Sequence, residues 1–213
     1  MPASSVLTRE KIDIPEVLQG VESLGATQHL SYLGEVSPDS YRHSLAVGNL
    51  VLGACDYYGV GSKDTYTAGV AAVLHDIGKA NPEVVGLVNS EHELTDNERQ
   101  IVAGHTFSGQ VLLCGLYSQA KRTGLKELLI QAEHTAGYHH TPINEIDNDI
   151  TTLVTLADRA EATSGPLRPY QRTRLALKPH ELLSVAEREV SVFDQDPLEL
   201  IRFFQAACLK NRK

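Results

Sequence analysis

The chain has no tryptophan, one methionine and only three cysteines, and it lacks any long hydrophobic run. The cysteines, Cys55, Cys114 and Cys208, stand far apart and form no CxxC pair, which argues against a cysteine-type structural zinc site and indicates a reducing compartment. We expect all three to be buried in the core. The apolar stretches are interrupted well before the roughly 20 residues of a membrane helix, and the N-terminus is polar. We therefore expect a cytoplasmic protein that does not cross a membrane.

Basic residues are also scarce. Lys and Arg number 19 against 27 Asp and Glu, giving a formal net charge of -8. This balance argues against a long nucleic acid as partner, because such binding depends on a basic face. The negative net charge is still compatible with a small anionic ligand, since a bound metal can supply local positive charge. The length of 213 residues and the hydrophobic content of 42% predict one domain with a full core.

The hydrophobic periodicity is helical along almost the whole chain, and no segment shows sustained strand alternation. Thr95 and Glu98 form the sequence signature of a capping box at a helix start. The pattern predicts an all-α fold whose helices pack as a bundle. The predicted helices cover residues 9–24, 37–58, 63–74, 95–113, 125–134, 150–162, 179–191 and 197–209.

Histidines and aspartates recur along these helices. His75 and Asp76 are adjacent and offer one metal a nitrogen and an oxygen ligand, while Lys79 is close enough to reach an anion held by that metal. Side chains on facing helices build metal sites in bundle cores, and a mixed nitrogen and oxygen set favours Fe, Mn or Zn over Ca. The series predicts a metal centre between the helices that hydrolyses a phosphate ester; its other members are His43, His105, His134 and Asp158.

Several stretches between about residues 37 and 172 resemble the HD-domain superfamily of metal-dependent phosphohydrolases, and most closely its HD-GYP branch. The matching stretches are His75-Asp76-Ile77-Gly78-Lys79 (HDIGK), Leu94 to Glu98 followed by His105 and Gly109 (LTxxE…H…G), Gly137-Tyr138-His139 (GYP), and Ala157-Asp158 with Arg168-Pro169-Tyr170 (AD…RPY).

The chain departs from the HD-GYP pattern at two places. Where the family has two adjacent histidines, this chain has only His134, and its GYP reads GYH. His139, the last residue of GYH, and the adjacent His140 offer two further imidazoles, and either or neither of them replaces the lost ligand. The family's acidic ligand before the first histidine corresponds to Asp39, which would hold a third metal or simply favour the helix dipole.

The resemblance implies two divalent metals, Fe or Mn, with Zn, Ni or Mg as alternatives. Asp76 would bridge them beside an activated water, Lys79 would steady the phosphoryl oxygens, and Arg168 would hold a second phosphate or form a structural ion pair. The implied domain has an N-terminal helical extension (1–36), a catalytic core (37–178) and C-terminal helices packed on it (179–213). The implied metal ligands are His43, His75, Asp76, His105, His134 and Asp158, with Asp39 for a third ion.

Four functions are compatible with these features. The leading hypothesis is a phosphodiesterase that linearises cyclic di-GMP or a related cyclic dinucleotide. The alternatives are a phosphohydrolase for other nucleotides or phosphomonoesters, an HD-type diiron oxygenase, and a degenerate module that binds a ligand without catalysis. The expected partner is a small nucleotide; a homodimer or a separate regulatory partner is left open by the sequence.

Overall fold

The computed structural model describes residues 12–120, 122–164 and 197–210. Within these ranges the chain forms α-helices and two short 3-10 turns and no β-strand, so the predicted all-α fold is confirmed. The 3-10 turns are Ile77–Ala80 and Ile143–Glu145. The helices are α1 (Ile14–Ser23), α2 (Thr27–Val36), α3 (Pro38–Tyr58), α4 (Ser62–Leu74), α5 (Pro82–Val88), α6 (Asp96–Ala103), α7 (His105–Gln119), α8 (Thr123–Tyr138), α9 (Asp149–Ser164) and α10 (Pro197–Lys210).

Local sequence signals account for several helix boundaries. The side chain of Asp13 caps α1 by accepting a backbone N–H, as N-cap residues commonly do. The predicted capping box is present at α6, where Thr95 and Glu98 each satisfy a backbone N–H of the other. α3 ends at Gly59, whose φ of 73° lies in the left-handed region that glycine adopts without strain.

Some predicted boundaries were wrong. The helix predicted over residues 95–113 is divided at Gly104 into α6 and α7, so that His105 begins a helix instead of lying inside one. α8 continues beyond His134 to Tyr138. α2 and α5 were not identified as separate helices. The helix predicted over residues 179–191 lies outside the described residues.

Helix α4 is the centre of the packing and positions the functional region. Two hydrophobic clusters meet along it: one includes residues of α3, α9 and α10, and the other includes residues of α1, α2, α7 and α8. All residues from Ala68 to Leu74 are buried. Close approach needs small residues, because a Cβ on Gly69 would lie 2.7 Å from a methyl carbon of Val17. The C-terminal end of α4 therefore lies deep inside the molecule.

The cysteine prediction is only partly correct. Cys55 is buried in the first hydrophobic cluster, but Cys114 is exposed on α7. The side chain of Cys208 lies outside the described set. No helix in the described ranges is long and apolar enough to cross a bilayer. The division of the chain into an extension, a core and a C-terminal segment stays a prediction.

Candidate metal centre

Histidine and aspartate side chains from five helices converge at the C-terminal end of α4. His75 directly follows α4, and Asp76 precedes the 3-10 turn at residues 77–80. His43 comes from α3, His105 from the start of α7, His139 and His140 from the end of α8, and Asp158 from α9. All of them are buried except His140.

One half of the cluster surrounds the Oδ2 atom of Asp76. The Nε2 atoms of His43 and His75 lie 3.6 Å and 3.5 Å from Oδ2. Asp158 completes this half, since its Oδ1 lies 2.8 Å from Nε2 of His43 and 3.8 Å from Nε2 of His75. Ligand atoms about 2 Å from a metal ion are held roughly 3 Å or more apart. The donor atoms of His43, His75 and Asp158 are therefore close enough together to be ligands of one ion, with Oδ2 of Asp76 beside the two histidines.

The other half surrounds the Oδ1 atom of Asp76. The Nε2 atoms of His105 and His139 lie 3.2 Å and 3.7 Å from Oδ1, and 3.3 Å from each other. The ring of His140 is next to both, with ring centroids 5.1 Å from His105 and 4.1 Å from His139. The two oxygens of one carboxylate thus lie nearest to different histidines, as the oxygens of a bridging ligand would, and His75, Asp76 and His139 are also close enough together to share one ion.

Hydrogen bonds fix which ring nitrogen carries the proton in three of the histidines. Nδ1 donates to the carbonyl of Ala72 at 2.7 Å in His75, and to the carbonyl of Val102 at 2.6 Å in His105. In His139, Nδ1 lies 3.1 Å from the carbonyl oxygens of both residues 135 and 136. A carbonyl only accepts, so in each neutral ring Nε2 keeps its lone pair and faces the cluster. Metal-ligating histidines use this same arrangement.

The pKa shifts favour the protonation states that bind metal. Burial, which outweighs the attraction of Asp76, lowers the pKa of His75 to about 3. Burial also lowers the pKa of His105. For Asp76, burial acts to raise the pKa, but the charge of Lys79 and the contacts with the surrounding imidazoles hold it well below its usual range. At neutral pH the cluster therefore combines neutral imidazoles with an ionised carboxylate.

Two buried atoms in the cluster lack a hydrogen-bond partner among the described residues. They are Nε2 of His75 and Oδ1 of Asp76. A buried polar atom without a partner costs roughly 1–3 kcal/mol, and here lone pairs of nitrogen and oxygen face each other at close range. Divalent cations bound in the two halves of the cluster would satisfy both atoms. The residues present thus fit a metal centre, and their nitrogen and oxygen donors suit a transition metal.

Lys79 lies within the same buried region. Its side chain is almost fully covered, and its ammonium group forms an ion pair with Oδ2 of Asp76. A buried lysine needs such a partner, because an isolated ammonium group is strongly disfavoured away from water. Lys79 therefore contributes the only lysine charge found at the cluster in the described residues.

Two sequence-predicted residues are not brought into the cluster. His134 belongs to none of the metal-binding groups, because it faces α9, where its Nδ1 lies 2.8 Å from the hydroxyl of Thr151. Asp39, in the first turn of α3, is half-exposed and pairs with Arg42. These placements do not support either residue as a ligand. Arg168 lies outside the described residues.

In the structure, His139 and His140 lie beside His105, where the sequence resemblance implied His134. The sequence left their role open, although two adjacent imidazoles a few residues beyond the helix predicted over 125–134 were the available signal. Their position is held from α9, where the hydroxyl of Thr155 lies 3.0 Å from the carbonyl oxygen of His139. Because α8 continues for another turn beyond His134, the structure places His139 and not His134 beside the other imidazoles.

One of three comparisons with known proteins gave a match, and it is to a protein family. A search of curated proteins and a search of solved structures each found no significant match. The family model described as HD domain matches residues 40–163, which include all the residues of the cluster. This match does not identify the HD-GYP branch within the family, so membership of that branch stays a prediction. The chain belongs to the HD domain family, a family of helical proteins that bind divalent metals and are generally hydrolases.

Proposed function

We propose that the protein is a metal-dependent phosphohydrolase with two metal ions bridged by Asp76. The observation that carries the proposal is the division of the cluster, with Oδ2 of Asp76 facing His43 and His75, and Oδ1 facing His105 and His139. A lone metal would need only one of these groups. Paired metals are typical of enzymes that displace a group at phosphorus.

The proposed ligands form two sets that share Asp76. His43, His75 and Asp158 would hold one ion, and His105, His139 and His140 would hold the other. When bound, such a pair lowers the pKa of a shared water and polarises phosphoryl oxygens. The excess of imidazole over carboxylate suits Fe or Mn, with Zn and Ni as alternatives and Mg less favoured.

Lys79 is the proposed contact to the phosphoryl group. Its ammonium group forms an ion pair with Asp76. Metal coordination by Asp76 would satisfy that carboxylate and leave the lysine charge available to oxygens of the substrate. A fixed cation aimed at developing negative charge stabilises the transition state without reorganisation. Arg168 stays a proposed second phosphate contact on the basis of sequence alone.

The substrate class that we propose is a cyclic dinucleotide, with cyclic di-GMP as the first candidate. The support is the sequence resemblance of the HDIGK and LTxxE stretches to the HD-GYP branch. A phosphate ester of another nucleotide is the alternative. The acidic net charge disfavours a long nucleic acid but not a small nucleotide held by metals.

The test is hydrolysis by purified protein loaded in parallel with Mn, Fe or Zn. The substrates are cyclic di-GMP, a cyclic GMP-AMP, a deoxynucleoside triphosphate and a chromogenic phosphomonoester. We expect hydrolysis of a cyclic dinucleotide, reduced at least about 100-fold by Asp76→Asn, because changes merely adjacent to metal ligands already cost 10–100-fold. Turnover of only the triphosphate or the monoester would keep the phosphohydrolase and refute the cyclic dinucleotide.

Two other outcomes would contradict the phosphohydrolase itself. Substrate-dependent oxygen uptake by the iron-loaded protein, without phosphate ester hydrolysis, would identify a diiron oxygenase. Metal binding without turnover of any substrate in the panel would favour a module that binds its ligand without catalysis. The Asp76→Asn variant serves as the control for contaminating phosphatase, which would be unaffected by the substitution.

A further inference from the structure

His43 differs from the other imidazoles of the cluster in the partner of its Nδ1 atom. His75, His105 and His139 each use Nδ1 to bind a backbone carbonyl three or four residues earlier. In His43, Nδ1 instead lies 2.5 Å from Oε2 of Glu161, on a different helix. The imidazole of His43 is therefore oriented by a carboxylate distant in sequence.

The secondary structure explains this difference. His75, His105 and His139 each lie just past the end of a helix, where the carbonyl groups of the last turn are not fully used by the helix and can accept from a side chain. His43 lies inside α3, where the carbonyl groups before it accept the hydrogen bonds of the helix. Its Nδ1 must therefore find an acceptor outside its own helix.

Glu161 is well placed to be that acceptor. It follows Asp158 by three residues on α9, so the two carboxylates lie one turn apart on the same helix face. Asp158 contacts Nε2 of His43 and Glu161 contacts Nδ1, so both sides of the ring are held from one helix. Glu161 belongs to none of the groups that could bind a metal.

We propose that Glu161 is a positioning residue that holds the proton of His43 on Nδ1 and thereby presents Nε2 to the metal. The inference rests on the proposed metal site. Carboxylate–histidine–metal arrangements orient the ring and raise its basicity, and losing such a partner typically costs 10–100-fold in metal affinity. Sequence analysis did not identify Glu161, because its role depends on the register of α9 against α3.

The experiment measures metal affinity by competition with a chromogenic chelator, in wild type, Glu161→Ala, Glu161→Gln and Glu35→Ala. Glu35 is an exposed glutamate on α2 and serves as the matched control. We expect Glu161→Ala to weaken the binding of one of the two ions, the one held by His43, by about 10–100-fold. Glu161→Gln should retain most of the affinity, because its carbonyl oxygen still accepts the Nδ1 proton, and Glu35→Ala should match wild type.

A second readout follows the tautomer directly. Long-range ¹H–¹⁵N correlation spectra of the zinc-loaded protein report which nitrogen of His43 is protonated, with the signal assigned by its loss in His43→Gln. We expect an Nδ1–H tautomer in wild type and in Glu161→Gln. In Glu161→Ala the His43 signals should shift or broaden as the ring loses its fixed orientation, even where the chain is fully folded.

The outcomes separate the failure of this inference from the failure of the metal site. Unchanged affinity and an unchanged His43 tautomer in Glu161→Ala, beside a wild type that binds metal, would overturn the positioning role. Equal losses in Glu161→Ala and Glu161→Gln would also overturn it, because they would show that the carboxylate itself binds metal. A wild type that binds no transition metal would instead refute the proposed function, and this inference with it.

Discussion

Helix-end histidines are the residue-scale feature on which the site depends. An imidazole placed just after a helix finds free carbonyl groups within its own chain, and this local contact alone directs its other nitrogen outward. The same position that ends the helix therefore prepares the ligand. His43 is the exception, because α9 supplies a carboxylate oxygen next to each of its two ring nitrogens.

The difference between His139 and His134 gives a direct test at this scale. His139→Ala should lower the affinity for one of the two ions by at least about 100-fold, since losing a ligand exceeds the cost of losing a ligand's partner. His134→Ala should leave the metal content unchanged and cost about 1 kcal/mol of stability, because it loses one hydrogen bond to Thr151. Elemental analysis after dialysis, together with urea unfolding, measures both.

The reverse pattern would contradict the structure. If His134→Ala released metal and His139→Ala retained it, the ligand implied by the sequence resemblance would be right.

His75, Asp76, His105 and Asp158 were identifiable from sequence because an adjacent His-Asp pair and helical spacing restrict the choices. His139 could not be chosen over His134, because the choice depends on where α8 ends and on how it faces α9.

The close approach between the 3-10 turn and α7 is the main constraint at the scale of elements. A Cβ on Gly78 would lie 1.9 Å from the carbonyl oxygen of His105 and 2.5 Å from the backbone nitrogen of Gly109. Both are backbone atoms, so no side chain can rotate away. The absence of a side chain at Gly78 therefore allows the turn carrying Asp76 to reach the helix that begins at His105.

Gly78→Ala should consequently lower both stability and metal affinity. Overpacking of this kind typically costs 1–3 kcal/mol, and the required backbone shift would move Asp76 relative to His105. Gly115→Ala on the exposed side of α7 is the control: its Cβ would have nothing within 4 Å, and we expect it to stabilise the helix by up to about 1 kcal/mol. Thermal unfolding and metal titration compare the two variants.

A Gly78→Ala variant as stable as Gly115→Ala, with unchanged metal affinity, would show that the contact is not a constraint.

The break between α6 and α7 at Gly104 illustrates why such element boundaries were not predictable. The capping box correctly marks the start of α6, but the helical pattern continues past Gly104. The break is accompanied by the close packing of His105 against Gly78, a tertiary contact that the local sequence does not show.

At the scale of the whole molecule, α4 joins two hydrophobic clusters and carries the His-Asp pair to their meeting point. The all-α fold was predictable because helical periodicity persists along most of the chain. The central position of α4 is consistent with its composition, since its buried stretch is apolar on all sides. The resulting site is deeply buried, which makes the stability of the metal-free protein depend on pH.

We expect the metal-free protein to lose stability as the pH falls below about 6.5. The pKa of His75 is about 3 when folded against 6.5 when unfolded, so between these values the unfolded chain binds more protons. Each histidine held neutral in this way contributes a slope of about 1.4 kcal/mol per pH unit. Urea unfolding at pH 7, 6 and 5 in the presence of a chelator measures the slope.

His29→Gln provides the matched control for this prediction, because His29 is exposed and lies outside the cluster. Its slope should equal that of wild type. A stability that is flat or rising from pH 7 to pH 5 would contradict the neutral state of the buried imidazoles. Metal binding requires the same deprotonated ligands, so metal release should accompany acidification.

The central claim is that Asp76 bridges two metal ions, and anomalous diffraction tests it most directly. Crystals of the manganese-loaded protein would be measured at the manganese absorption edge. We expect two peaks roughly 3.5–4 Å apart, one between His43, His75 and Asp158 and the other beside His105 and His139, with Asp76 contacting both. A single peak, or none within reach of Asp76, would contradict it.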